Sequence, residues 1–270
     1  MNIVGLDELV FAVDDVEGCT QYLLDYGLSA TQIGPQGGRF EALDGTAIVI
    51  HGAADPGRAP SIHETVYGVS DPATLERIDA ELRRDREVRR AADGSLHTVD
   101  DMGFALGFQL TRRRPFNAPP ALSNAPGHPP QRMPNQPGAD PGAVIMPLTL
   151  SHVVYFVPDT AKAEAFYTQR LRFVTTDRFT GVGPFLRPAG TLEHHTLFMI
   201  QAPPFMQGVE HFTFHLGSGS EVLQAGTRFA AKGYQSFWGA RAAPVGFELV
   251  LVLQQPVRVP CRVRRRHGFT

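Results

Sequence analysis

The sequence predicts an α+β fold of two modules, each built from two successive units of strand, helix and further strands. Three observations carry that expectation. Residues 8–13, the aspartates Asp14-Asp15 and the helical VEGCTQYLLDYG are matched by residues 152–157, Pro158-Asp159 and the helical TAKAEAFYTQRL. Further on, residues 64–69 and ATLERIDAELRR are echoed by residues 211–216 and SEVLQAGTRFAAKG. Between the two halves, residues 114–147 hold ten of the 22 prolines.

Each element has a local reason. Alternating side chains mark the four leading strands, because successive residues of a strand point to opposite faces. Apolar residues spaced i, i+3, i+4 mark the helix that follows each of them. Proline removes a backbone N–H and locks φ, so residues 114–147 are predicted to form an exposed, partly extended linker. The expected division is a metal-free structural module over 1–113, the linker over 114–147, a metal-bearing module over 148–239 and an aberrant tail over 240–270.

Composition narrows the function classes. The chain has 270 residues, 43% hydrophobic and 19% charged, enough for two domains with cores and too apolar for disorder. The opening MNIVGLDELVFAVDDVEG lacks a secretory pattern and no apolar run reaches membrane-spanning length, so cytoplasmic residence without a membrane partner is expected. Cys19 and Cys261 show no ligand spacing, which argues against a disulfide framework. A net charge of -2 gives no nucleic-acid signal. The tail alone departs from this balance, with Arg241, Arg258, Arg262, Arg264, Arg265 and Arg266 against the single acid Glu248.

His152, the pair His194-His195 and His211 carry the chemistry, on the apolar stretches SHVVYFV, HHTLFMI and HFTFHL. A histidine on an apolar strand is more often an ordinary hydrogen-bonded residue. His152 and His211, however, start corresponding strands, which turns them toward one shared concavity. A 2-His-1-carboxylate ferrous centre needs two such imidazoles and one carboxylate, with the remaining positions open. At the corresponding N-terminal positions stand Glu8 and Glu64, a poor set for ferrous iron. Strand alternation puts His194 and His195 on opposite faces, so only one enters the cavity. Phe198, Phe205, Phe212 and Phe214 are candidates to pack on a planar aromatic ligand, or are plain core. Tyr234, Phe237 and Trp238 have no readable role.

The run LSHVVYFVPDTAKAEAFYTQRLRF, followed by LEHHTLFMI, GVEHFTFHLGSGSEV and GYQSFWG, resembles the C-terminal module of type I extradiol ring-cleaving dioxygenases. These belong to the vicinal oxygen chelate (glyoxalase/bleomycin resistance/dioxygenase) superfamily. The resemblance covers about residues 149 to 239 well and the N-terminal half more weakly. It implies paired βαβββ units that close a sheet around a cavity, and extradiol cleavage of a catechol in aromatic catabolism. It further implies His152 and His211 as metal ligands and His195 as acid–base residue, a task suited to an imidazole with its ordinary pKa of about 6.5. The implied cofactor is Fe(II), with Mn(II) as the alternative metal. The implied partners are a small aromatic diol, dioxygen and further copies of the chain in a homo-oligomer. Two other readings stay open, a metal-free protein that binds a small aromatic molecule and a glyoxalase-like isomerase or epimerase.

After GYQSFWG the resemblance fails. The family pattern continues with Pro-Gly-Arg-His, an aromatic strand and a Val-Glu-Tyr-like ligand segment, whereas this chain reads ARAAPVGFELVLVLQQPVRVPCRVRRRHGFT. One reading is a divergent apolar hairpin over FELVLVL and VRVPCRV. The other is a gene with one extra base near Gly239. In that case each original codon consists of the last two bases of one codon and the first base of the next. Under that constraint Leu249-Val250 permits Trp, Val250-Leu251 permits Phe, Leu251-Val252 permits Trp and Val252-Leu253 permits Tyr. The tail then permits Pro-Gly-Arg-His from Ala240 and ends in Cys-His-Val-Glu-Tyr-Asp-Ala-Asp-Met-Asp. The glutamate codon falls across Arg262-Val263, so Arg262 occupies the position of the third metal ligand. A guanidinium offers no lone pair and does not lose its charge, so the chain as written is expected to hold iron poorly. Glu248 replaces that carboxylate only through a change of strand register.

Overall fold

Four helices in the computed structural model begin in the same way, at a short polar side chain that accepts a backbone N–H three residues on. Asp15 accepts from Gly18, Asp71 from Thr74, Asp159 from Lys162 and Ser218 from Glu221, over 2.8 to 3.2 Å. Each cap follows a long strand, and the repeat of strand, cap and helix is the two-module pattern made visible. The structure describes residues 1–54, 61–118, 122, 124–136, 142–234, 241–242 and 249–250.

The first unit is β1 (Ile3–Val13), α1 (Val16–Asp25), β2 (Ser29–Gly34), β3 (Gly37–Glu41) and β4 (Ala47–Gly52). The second is β5 (Ser61–Val69), α2 (Pro72–Leu82), β6 (Arg89–Arg90), β7 (Leu96–Val99) and β8 (Ala105–Leu110). Together they form an eight-stranded sheet in the order β2-β3-β4-β1-β5-β8-β7-β6. The third unit repeats the first as β9 (Thr149–Val157), α3 (Thr160–Ala165), β10 (Phe173–Phe179), β11 (Gly183–Pro188) and β12 (Leu197–Gln201). In the fourth, β13 (Gly208–His215) leads to α4 (Gly219–Ala231). The second sheet has five strands, β10-β11-β12-β9-β13.

Register makes the repeat quantitative. β1 pairs with β4 in parallel, Val10 opposite Val49, as β9 pairs with β12, Val154 opposite Phe198. Arg39 on β3 faces Val49, as Phe185 on β11 faces Phe198. Glu8 lies opposite Val66 and Val10 opposite Glu64, as His152 lies opposite Thr213 and Val154 opposite His211. Gly183 opens β11 because an added Cβ would stand 1.7 Å from the Met199 carbonyl.

The modules part company after their last helix. In the first sheet β8 continues the ladder beyond β5, Val66 opposite Gly107. In the second, β13 is paired on one side only among the described residues, and β14 (Arg241–Ala242) pairs only with β15 (Leu249–Val250). Burial follows the pairing. α2 buries Thr74, Leu75, Ile78 and Leu82, whereas α4 buries only Phe229. Arg262, Glu248, Phe237, Trp238 and Cys261 lie outside the described residues.

One hydrophobic cluster runs through both sheets, joining Leu9, Phe11 and Tyr67 to Val153, Tyr155 and Phe214. Polar contacts cross the same boundary: the Tyr167 hydroxyl donates to buried Asp100 at 3.0 Å, and Arg170 reaches Asp85 at 2.8 Å. Both residues sit on a single π-helical turn, Phe166–Arg170, that extends α3 where the sequence predicts plain helix. The linker is exposed along most of its described length, and its flanks are tied to the first module. Arg113 donates to the Leu6 carbonyl at 2.7 Å and to Thr149 at 2.9 Å, and the Leu43 N–H donates to the Pro147 carbonyl at 2.9 Å. Tyr234 donates to Asp25 at 2.8 Å and packs edge-on against Tyr22, which gives it an anchoring place against α1. Cys19 is buried and reduced. No helix among the described residues is long and apolar enough to cross a membrane.

Candidate functional site

β9 turns Val153, Tyr155 and Val157 to the main core, which leaves His152 and Val154 facing the other way. On that second face Val154, Phe185 and Phe198 form a separate cluster, with Phe179 and Ile200 packed against it. Phe185 and Phe198 stack with centroids 4.0 Å apart at 5°. The face is therefore an apolar wall ending in histidines.

Three of the four sequence-nominated histidines converge there. The Nε2 atoms of His152 and His211 stand 3.4 Å apart, and the His195 ring lies 4.2 Å from the His152 ring. His195 also meets the edge of Phe185 at 4.9 Å. His152 and His195 are only 4% and 6% exposed. Burial, and then the neighbouring imidazoles of His195, His211, His215 and His194, hold His152 well below the usual histidine pKa. At neutral pH that ring is uncharged, the form in which imidazole binds a metal.

Hydrogen bonds orient the rings. The Thr213 hydroxyl lies 2.9 Å from His152 Nδ1 and 3.2 Å from its Nε2, with the Ser151 hydroxyl 3.3 Å from Nδ1. His211 Nδ1 contacts the Glu210 carboxylate. Two nitrogens bound about 2.1 Å from one ion at roughly right angles stand about 3 Å apart, so the observed separation suits a shared metal. The donor set fits two of the three ligands of a 2-His-1-carboxylate centre. The third is not found among the described residues, where no three His, Cys, Asp or Glu side chains form a group able to hold a metal ion.

The pair His194-His195 departs from the sequence expectation. Both residues lie in a bend before β12, which begins only at Leu197, so strand alternation does not separate them. Their Nδ1 atoms come within 3.0 Å, and His194 Nε2 stands 3.7 Å from half-exposed Asp177. The phenylalanines also divide. Phe198 lines the wall, Phe212 and Phe214 turn to the core against Phe11 and Tyr26, and Phe205 is exposed. Phe185 and Phe179 sit on β11 and β10 with no motif in the sequence to mark them. A cleft of about 490 Å³ lined by Arg113, Thr149, Ser151, Glu193 and Thr196 includes none of the three converging histidines.

The same positions of the first module hold different chemistry. Glu8 pairs with Arg39 at 2.7 Å and accepts from Gln109 at 3.1 Å, while Glu64 meets His97 Nδ1 at 2.7 Å. The equivalent positions are occupied by the Glu8–Arg39 ion pair and the Glu64–His97 contact.

Residues 149–237 match the glyoxalase/bleomycin resistance protein/dioxygenase superfamily model. A biphenyl-2,3-diol 1,2-dioxygenase of Pseudomonas sp. (strain KKS102) is 31% identical over 245 residues, covering 86% of this chain and 79% of that protein. Metapyrocatechase 2 of Cupriavidus necator is 28% identical over 134 residues, 47% of this chain, and the match spans only 41% of that protein. Among solved structures, the 2,3-dioxygenase LapB of Pseudomonas sp. KL28 superposes with a TM-score of 0.74 at 19% identity, covering 96% of this chain and 90% of that one.

Proposed function

This chain belongs to the extradiol dioxygenases of the glyoxalase/bleomycin resistance protein/dioxygenase superfamily, and from that premise we propose that its second module is built to open a catechol-type ring beside the two hydroxyls. The observation that supports it is the pair of Nε2 atoms 3.4 Å apart at the end of an aromatic wall, with His195 alongside. His152 and His211 are the protein ligands of a non-haem Fe(II), with Mn(II) as the alternative. When bound, the metal supplies chelation of the two vicinal oxygens and activation of dioxygen. The chain's own residues do the rest. His195, with Nδ1 against His194, uses Nε2 to take a proton from a diol hydroxyl and to return it later in the reaction. Phe185 and Phe198 hold the flat ring and exclude water.

The same reading places the functional division at residues 1–113, 114–147 and 148–239, and assigns the protein to the cytoplasm as a homo-oligomer. It also assigns the tail. In the first module the strand beside β5 delivers Gln109 to Glu8, so the third ligand belongs on the strand that continues the ladder past β13. By the family resemblance that ligand falls within residues 240–270, where Arg262 stands in place of the carboxylate, and a one-base insertion near codon 239 accounts for it. The chain as written then purifies without stoichiometric iron and shows negligible ring cleavage.

Metal analysis and oxygen uptake with catechol, run on this chain and on one encoded with a single base removed near codon 239, test the proposal. Iron binding and ring cleavage should appear only in the second protein. Full iron occupancy and normal oxygen uptake in the first would overturn the tail assignment, and no activity in either would overturn the dioxygenase reading. A genuine tail with tight binding of an aromatic molecule and no metal would instead favour a sequestering protein.

A further inference from the structure

We propose that Glu210 is a positioning residue that fixes the tautomer of His211 and so aims its Nε2 lone pair at His152. The inference rests on the reading of His152 and His211 as metal ligands. It starts from a defect in the β9–β13 ladder. Val209 lies opposite Tyr155, yet His211 lies opposite Val154, so Glu210 is one extra residue facing a single step of the partner strand. Strict alternation would send Glu210 and His211 to opposite faces. A β-bulge cancels that alternation locally, and such bulges re-aim side chains beside functional sites.

The consequence is a contact between neighbours in sequence. The Glu210 carboxylate meets His211 Nδ1, and the two side chains are equally shielded, each 20% exposed. A carboxylate only accepts, so the proton of the ring resides on Nδ1. Nε2 is then left with its lone pair, directed at the facing Nε2 of His152. A carboxylate behind a ligating imidazole fixes ring orientation and raises basicity, which is the arrangement metal sites use.

The bulge belongs to the fold and the carboxylate to this module. β5 carries the same slip, Val10 opposite Glu64 and Phe11 opposite Ile62, which makes His63 the extra residue. His63 is exposed, and Glu64 takes its partner from His97 instead.

Nitrogen-15 NMR of the full chain labelled at histidine, at pH 8 without metal, reads the tautomer directly. His211 should carry its proton on Nδ1, Glu210→Ala should shift it toward the Nε2–H form, and Glu210→Gln, which keeps an acceptor, should restore the wild-type pattern. In a Mn(II) titration of the chain encoded with one base removed near codon 239, Glu210→Ala should weaken binding by about 10- to 100-fold, with Glu210→Gln closer to the parent. An Nε2–H or doubly protonated His211 in the unaltered chain, or a tautomer indifferent to Glu210→Ala, would overturn the assignment. The expected tautomer combined with no Mn(II) effect on the His152 and His211 signals of the frame-restored chain would sink the metal reading while leaving the Glu210 contact in place.

Discussion

The two modules use one register for opposite ends. Where the first module has Glu8 and Arg39, the second has His152 and Phe185; where the first has Glu64, the second has His211. In the first, a buried carboxylate faces a guanidinium, and the cavity is closed by its own charges. Burying charge costs several kcal/mol unless it is paired, so that arrangement admits no further ion. In the second, the same positions hold two imidazoles beside an aromatic wall, with no guanidinium between them among the described residues. The comparison teaches that the fold supplies positions and three or four side chains decide between a plug and a site. It also shows what the second module lacks, because β5 is flanked by β1 and β8 while β13 has β9 alone among the described residues.

The largest expected effect breaks that last difference. Removing one base near codon 239 should give β13 a second neighbour, and its outward amides should exchange with solvent about 100-fold more slowly, approaching those of β5, in hydrogen-exchange mass spectrometry. Arg262→Glu alone should leave exchange unchanged and recover at most weak metal binding. If the unaltered chain already protects β13 as well as β5, the tail pairs as written and the frame argument fails.

Arg39→Met attacks the plug. It leaves Glu8 buried without its main counter-charge, and urea denaturation should show a loss of about 3–5 kcal/mol. The double variant Glu8→Gln/Arg39→Met should recover most of that loss, since the cost lies in the stranded charge. Equal losses in the single and double variants would mean that packing, not charge, fills the first cavity.

Tyr167→Phe tests the seam between the modules and depends on pH. Burial raises the Asp100 carboxyl above its usual value, opposed by hydrogen bonds from the Phe104 and Met102 N–H groups and the Tyr167 hydroxyl. A raised folded-state pKa means that the Asp100 contribution is full below the unfolded value of about 3.9 and is lost as pH rises through the folded value. The variant removes a donor to the ionised form, so it should cost about 1.5–3 kcal/mol at pH 7.5 and distinctly less near pH 4. A pH-independent loss would show that Asp100 does not change its ionisation over that range.

The smallest effect is expected at His63→Ala, the bulge residue of the first module. Exposed and outside the Glu64–His97 pair, it should change stability by less than about 0.5 kcal/mol, in contrast to the response of metal binding at Glu210.

The sequence by itself determined the repeat, the helix that follows each leading strand and the matched positions of His152 and His211, because each follows from periodicity and from positions repeated between halves. The tertiary structure decided the rest. That His194 and His195 touch depends on a bend before Leu197, that Phe212 serves the core while Phe198 faces the histidines depends on which sheet face meets the other module, and that Glu210 reaches His211 depends on a slip in the ladder to β9. Alternation is a property of neighbouring residues and can be read along the chain. A bulge, a bend or a counter-charge such as Arg39 for Glu8 is set by a strand far away in sequence, and only the folded ladder brings it into register.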